Sequence, residues 1–180
     1  MRAGARLGHW LKLLGMVGLL AACASTPDPE PRTAHQARLR VYHGPSVWVY
    51  FGDRCDGKDP PVIRAGEGGF SFLVPNKRIG MPQTEDRPSF SFHEYAIPAA
   101  QPVTIRTYWQ AQLAGGAWER CGPLWTTFEP EPNQDYEVSL KFVSGMCQGV
   151  ELRKLRVSAE ARVLTTPVMP TVPTGRLCFR

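Results

Sequence analysis

The sequence lacks any apolar segment long enough to cross a bilayer as a helix. Its most apolar stretch, residues 13–22, would make a helix of about 15 Å, roughly half the thickness of a bilayer's hydrocarbon core. A helical membrane span is therefore not expected in these 180 residues.

Motifs of the common metal sites and hydrolases are also missing. Zinc sites usually take paired ligands from C-x2-4-C or H-x3-5-H spacings, and the cysteines and histidines here show neither spacing. No G-x-S-x-G nucleophile elbow occurs, and only His43 and His93 lie in the part of the chain with the pattern of a folded domain. We therefore predict no metal, no cofactor and no catalytic residue, and we interpret the chain as a protein other than an enzyme.

What the sequence does contain at its start is the pattern of an exported protein. Three basic residues precede the apolar stretch, and the small residues at its end fit the subsites of a signal peptidase: Arg2, Arg6 and Lys12, then Ala21 and Ala22. The residues Leu20-Ala21-Ala22-Cys23 resemble the lipobox of bacterial lipoproteins. The resemblance implies that residues 1–22 are a cleaved signal peptide and that Cys23 becomes an acylated N-terminus. A short core helix with a chance cysteine is the alternative.

An acylated Cys23 would define both a partner and a location for the chain. Two or three acyl chains, each contributing about 0.8 kcal/mol per buried methylene, would hold it on a lipid bilayer without a transmembrane helix. Ala24 and Ser25 resemble the default for sorting to the outer membrane, so we expect a lipid anchor there with the protein facing the periplasm. Loss of residues 1–22 would also lower the formal net charge from +5 to +2, which argues against a nucleic-acid partner.

The rest of the chain divides into a tether and one domain. Residues 23–37 contain three prolines and no apolar periodicity, so they are predicted to be the acylated cysteine and a disordered tether. Residues 38–180 are long enough to form one domain with its own core, followed by a C-terminal tail.

Four cysteines remain in the mature chain: Cys55, Cys121, Cys147 and Cys178. An even number in an exported protein indicates two disulfides, and three pairings exist in principle. Cys121 precedes one candidate strand and Cys147 follows the next, so antiparallel pairing of these strands would bring both cysteines to the same end. We therefore predict a Cys121–Cys147 disulfide and, by elimination, a Cys55–Cys178 disulfide that fastens the tail.

The body of the chain has the period-two alternation of β-strands. In residues 136–142, Tyr136, Val138, Leu140 and Phe142 alternate with polar residues, which predicts a strand with one face in water. Similar patterns occur at residues 39–41, 47–51, 70–74, 103–109 and 124–128, separated by Gly- and Pro-rich turns. They predict an all-β fold, an antiparallel β-sandwich of about seven to nine strands of the Ig-like or transthyretin-like kind.

Two segments allow more than one interpretation. In residues 89–97 the apolar positions change from even to odd numbers near His93 and Glu94, which indicates either a β-bulge or a strand that ends at His93. Residues 151–164 fit both helical and strand periodicity, and we prefer a strand because Val150 and Leu152 continue a strand that starts near Cys147.

Part of the body resembles small lipoprotein domains of the bacterial envelope. The shared features are residues 97–105 and a later pattern from Cys121 to Cys147 that includes Phe128-Glu129-Pro130 and Asp135-Tyr136. Residues 97–105 are similar to the hairpin of PEGA-type surface-layer modules, with Ala100 where a glycine is usual. The resemblance covers roughly residues 38–155, and it implies an extracytoplasmic β-sandwich without a catalytic residue.

Large aromatic residues are the best candidates for a binding surface. The apolar residues of the strand at 47–51 fill one of its faces, which leaves Trp48 and Tyr50 on the other, and Trp109 ends a further strand. Aromatics that reach solvent stack on sugars or anchor protein partners, so an envelope protein or glycan is the expected partner. Burial in the core is the alternative for each of them.

These features together indicate a binding or structural module of the envelope. The alternatives are an enzyme or accessory acting on envelope glycans, and an accessory for lipid or lipoprotein transport. An apolar groove between the sheets would favour transport, and convergent carboxylates in a cleft would favour hydrolysis.

Four basic residues lie close together near the end of the domain: Arg153, Lys154, Arg156 and Arg162. They would either contact anionic lipid headgroups or protect the edge of a sheet from aggregation.

Overall fold

The computed structural model describes residues 33–53, 60–66, 75–86, 91–112, 115–144 and 146–169. Within these ranges the chain forms nine β-strands: β1 (Gln36–Tyr42), β2 (Ser46–Phe51), β3 (Ile63–Ala65), β4 (Phe92–Pro98), β5 (Val103–Gln112), β6 (Trp118–Phe128), β7 (Asp135–Val143), β8 (Met146–Val157) and β9 (Val163–Pro167). A helix long and apolar enough to cross a membrane does not occur in them.

The strands form two sheets that face each other. One has the order β4-β1-β7-β8-β9 and the other the order β3-β2-β5-β6. The predicted all-β sandwich of about seven to nine strands is therefore confirmed. One pair departs from the antiparallel arrangement: β1 and β7 run parallel, with Arg38 opposite Asp135. A parallel pair needs a long connection, and the chain between these two strands supplies it.

Alternating apolar residues from both sheets meet in one core. Leu39, Val41 and Val138 come from the five-stranded sheet, and Val49 and Ile105 from the four-stranded sheet; each is at most 1% exposed. This is the alternation seen in the sequence, and it confirms the strands predicted around residues 39–41, 47–51, 103–109, 124–128 and 136–142.

Both segments with alternative interpretations form strands. β4 pairs with β1 in unbroken register from Phe92 to Pro98, so neither a bulge nor a strand end occurs at His93. The change of phase arises because Glu94 occupies a buried position on the outer side of the sheet, whereas Ile97 joins the core. Residues 151–157 belong to β8 and residues 163–164 to β9, which confirms the strand interpretation for these positions; residues 158–162 form the turn between the two strands.

Residues 97–105 connect the two sheets. β4 belongs to the five-stranded sheet and β5 to the four-stranded sheet, so the expected hairpin does not form here. Ala100 has a φ of 53°, in the left-handed region that favours glycine. Its amide donates to the carbonyl of Pro130 at 2.8 Å, which helps to hold this turn.

A disulfide joins the two sheets. Cys121 on β6 is bonded to Cys147 on β8, with 5.8 Å between their Cα atoms. The predicted pairing is confirmed, but the argument for it is wrong, because β6 and β7 lie in different sheets and do not pair. A register shift places two residues of β6 opposite one residue of β5, between Thr107 and Trp109. Strict alternation would put Cys121 on the same outward side of β6 as Trp125, and the bulge between them places Cys121 on the core side.

Several predictions fall outside the described residues: the signal peptide at 1–22, acylation of Cys23, the Cys55–Cys178 pairing and the strand at 70–74. At the start of the described chain, β1 begins at Gln36, two residues before the predicted domain start at residue 38.

Residues 75–86, named here the covering segment, lie across the outer face of the five-stranded sheet. Ile79 and Met81 of this segment are buried. Beneath it, the outward side chains of Arg40 and Glu137 are each 1% exposed. The prediction that the polar positions of residues 136–142 face water is therefore wrong for Glu137 and for Ser139, which is also buried.

Ion pairs between neighbouring strands hold this buried face together. Arg38 on β1 makes two bonds to the carboxylate of Asp135 on β7, at 2.7 and 2.8 Å. Arg40 Nη2 lies 2.7 Å from Glu94 Oε1 on β4, and Arg40 Nη1 lies 3.7 Å from Glu137 Oε2 on β7. Buried charges persist in proteins when they are paired and hydrogen-bonded in this way.

The same side chains bind the backbone of the covering segment. Arg38 Nη1 donates to the carbonyl of Ile79 at 2.9 Å, and Arg40 Nη2 donates to that of Pro82 at 2.9 Å. In return, the amide of Ile79 donates to Glu94 Oε2 at 2.7 Å. Charged side chains therefore satisfy backbone groups that a sheet ladder would otherwise satisfy.

Candidate functional site

The outer face of the four-stranded sheet carries aromatic side chains around one arginine. Its members, named here the aromatic face, are Trp48 and Tyr50 on β2, Arg106 on β5 and Trp125 on β6. The register places Trp48 opposite Arg106, and Arg106 opposite Trp125. Three neighbouring strands thus present an indole, a guanidinium and a second indole side by side.

Arg106 lies between the two indole rings. Its Cζ atom is 4.7 Å from the ring centroid of Trp48 and 5.5 Å from that of Trp125. Tyr50 extends the stack, with its ring centroid 5.7 Å from that of Trp125. Cation–π contacts of this length stabilise a guanidinium that has lost part of its water. The Nε atom of Arg106 is buried and makes no hydrogen bond within the described part of the chain.

Trp48 and Tyr50 both lie on the outer side of β2, away from Val47 and Val49 in the core. Their exposure differs, because Trp48 is half-buried whereas Tyr50 is 5% exposed. Tyr50 therefore supports the ring of Trp125 and presents little surface of its own. Alternation alone puts Arg106 on the outward side of β5, but only the register places it between two tryptophans.

Trp109, the third predicted binding residue, lies apart from this face. Its ring packs edge-on against Phe142, with centroids 5.3 Å apart, beside the disulfide. Both rings line a cleft of about 530 Å³ to which His43, Lys141 and Glu151 also contribute. Most of the cleft's lining is apolar, and charged groups of both signs, Asp86, Lys141 and Glu151, also lie at its wall.

The two histidines of the domain meet at one end of the five-stranded sheet. Their ring centroids are 4.5 Å apart. Burial, together with the nearby His93, lowers the pKa of His43 and favours its neutral form. His93 contacts the hydroxyl of Tyr95 at 3.3 Å and the carbonyl of Pro75 at 3.1 Å. The part of the chain that the structure describes contains no group of three or more His, Cys, Asp or Glu placed to hold a metal ion.

Two of the three basic residues of β8 are engaged in ion pairs, and the third, Arg156, is exposed. Arg153 pairs with Asp86, and Lys154 pairs with Glu131, each at 2.6 Å. β8 also lies between β7 and β9, so the interpretation as protection for a sheet edge is wrong for Arg153, Lys154 and Arg156. The fourth residue of the predicted group, Arg162, lies next to β9, the last strand of this sheet, and is exposed. The aromatic face is therefore a better candidate for ligand contact than the basic group on β8.

No family model, no curated protein and no solved structure matches this chain.

Proposed function

We propose that this chain is a lipid-anchored binding module of the bacterial cell envelope, held in the outer membrane and facing the periplasm. The aromatic face is its binding surface, and its partner is a component of the envelope. The observation that supports this proposal is the guanidinium of Arg106 between Trp48 and Trp125. Tryptophan, tyrosine and arginine dominate binding hot spots, because they combine a large contact area with directional polar groups. No catalytic step is part of the proposal.

The anchor is tested by metabolic labelling with a tagged palmitate analogue. The parent protein should incorporate the label and fractionate with membranes, because Cys23 in its lipobox-like context would carry the acyl chains. A Cys23→Ala variant should lose the label and leave the membrane fraction, whereas a Ser25→Ala variant should behave like the parent. Equal labelling and fractionation of the parent and the Cys23→Ala variant would refute the anchor.

The binding surface is tested by photo-crosslinking in living cells. A photoreactive residue at Ser46, a half-buried position two residues before Trp48 on the same side of β2, should give high-mass adducts. The same residue at Leu164, which is 53% exposed on the other sheet, should give few adducts. Replacing Trp48 and Trp125 with alanine should reduce the yield at Ser46 by about tenfold, the effect of losing a hot spot worth about 1.4 kcal/mol.

Two controls accompany the crosslinking. Circular dichroism of the doubly substituted protein should show an unchanged β spectrum, and its Cys121–Cys147 disulfide should still be recovered. Adduct yields that are equal at Ser46 and Leu164, or that survive the loss of both tryptophans, would rule out the aromatic face as the binding surface.

A further inference from the structure

The outward positions of the four-stranded sheet are rich in arginine and carry no carboxylate in their described strands. In a strand, alternate side chains point to the same side, and the bulge in β6 sets which residues near its start point outward. These outward positions are Arg64, Ser46, Trp48, Tyr50, Thr104, Arg106, Tyr108, Gln110, Gln112, Trp118, Arg120, Trp125 and Thr127. Three are arginines and none is Asp or Glu, so this face attracts anions.

One row of this face alternates cations with aromatic rings. Arg64, Trp48, Arg106 and Trp125 lie opposite one another across four successive strands. Neighbouring strands are about 4.8 Å apart, so each arginine is roughly two strand spacings from the next, and so is each indole. One sugar unit of an extended glycan advances by a distance similar to one strand spacing. A glycan crossing the strands could therefore place a ring near each indole and an acidic group near each arginine.

Arg106 is suited to binding an anion because its guanidinium is already held in place and has already lost part of its water. The two indole rings hold its guanidinium in place and exclude water from its planar faces. Its buried Nε is a donor without a hydrogen bond in the described residues. Charge-assisted hydrogen bonds strengthen as water is excluded, so an anion that reaches this guanidinium is held more firmly than one on an open surface.

We infer that the aromatic face, together with the neighbouring Arg64, binds an acidic glycan, a polysaccharide whose sugar units carry carboxylates. The carboxylates pair with Arg106 and Arg64, and the apolar faces of the sugar rings contact Trp48 and Trp125. This inference rests on the proposed function, and it adds the chemical class of the ligand. A nucleic acid also combines rings with negative charge, but the formal charge of only +2 left after loss of residues 1–22 is small for a phosphate-binding protein.

The test measures binding of a short oligogalacturonate to the full-length acylated protein in detergent micelles, by isothermal titration. The matched probe is the same oligomer with its carboxylates methyl-esterified, which keeps the rings and removes the charge. We expect the acid form to bind at least about tenfold more tightly, because hydrogen bonds to charged groups are stronger than those between neutral groups. Added salt should weaken the acid form and leave the ester unaffected.

Substitutions then locate the binding. Arg106→Gln should remove the preference for the acid form, and Arg64→Gln, at an exposed position, should reduce it several-fold without affecting folding. Arg156→Gln, exposed on the other sheet, should leave both affinities unchanged. Thermal unfolding of each variant confirms that it is folded.

Three outcomes would overturn the inference: equal binding of the acid and the ester, binding of neither, or tighter binding of an oligothymidylate of the same length. These results are distinguishable from failure of the proposed function. If crosslinking at Ser46 in cells still depends on Trp48 and Trp125, the aromatic face is a binding surface and only the acidic class of its ligand is wrong.

Discussion

Replacing Arg40 with methionine should lower the free energy of unfolding by about 3 to 5 kcal/mol, the usual cost of removing one partner of a buried ion pair. Arg40 is 1% exposed, and its guanidinium contacts the carboxylates of Glu94 and Glu137. It also donates to the carbonyl of Pro82. Methionine occupies a similar space without a donor, so both carboxylates would lose a buried positive partner. The measurement is urea unfolding of the parent and the variant, followed by circular dichroism.

The matched control is Arg156→Met on β8, where the arginine is exposed; it should change the stability by less than about 0.5 kcal/mol. Adding Glu94→Gln to Arg40→Met should cost less than the sum of the two single changes, because the second substitution removes a carboxylate that the first left unpaired. The covering segment should also become more sensitive to proteolysis in Arg40→Met, since it loses the bond to Pro82. A loss no larger than that of Arg156→Met would show that the network contributes little to stability.

The burial of this network could not be predicted from alternation. Leu39 and Val41 are correctly identified as inward residues, and the same rule assigns Arg38 and Arg40 to water. What reverses that assignment is the covering segment, which contains Gly80 and Pro82 and has the composition of a turn. An irregular segment carries no periodicity that indicates which surface it will cover. Its contacts come from backbone groups, which the identity of the side chains does not reveal.

The change of phase in β4 was the one sequence signal of the buried face. Glu94 shares the outward side of its strand with Phe92, and both are buried there. In the period-two pattern, Phe92 is therefore an apolar residue on the side of the strand that alternation assigns to water. A bulge was the local explanation, whereas the actual cause is a second layer on that side of the sheet. Apolar residues on both sides of a strand indicate that both of its faces are covered.

Part of the candidate site could likewise be predicted from the local sequence pattern, and the rest depends on the register between strands. The outward position of Trp48 follows from the apolar residues on the other side of β2, so the sequence is sufficient for it. The contact between Trp48, Arg106 and Trp125 needs the order of three strands and the offset between them, which no local pattern contains. Trp109 illustrates the same limit, because its contact with Phe142 depends on how the two sheets face each other.

The pairing of Cys121 with Cys147 was predicted from an arrangement that does not exist. The two cysteines flank strands that a single hairpin would pair, yet β6 and β7 belong to opposite sheets. The prediction succeeds because the ends of facing strands in a sandwich also come close, and the bulge turns Cys121 towards the other sheet. The disulfide is therefore a link between layers, and its loss should affect the packing of the two sheets.

Replacing both Cys121 and Cys147 with alanine should lower the free energy of unfolding by about 3.5 kcal/mol, the chain-entropy value for a loop of this size. The two residues are 26 positions apart, and their bond restricts that loop in the unfolded chain. Calorimetry of the parent and the double variant under the same oxidising conditions measures the difference, and mass mapping without reductant should recover the linked peptides from the parent alone. Each single alanine variant should lose about as much as the double variant, because either change breaks the same bond. A loss below about 1 kcal/mol, or free thiols at both positions in the parent, would contradict a structural role for the disulfide, since native disulfides in small exported domains typically contribute about 2 to 5 kcal/mol.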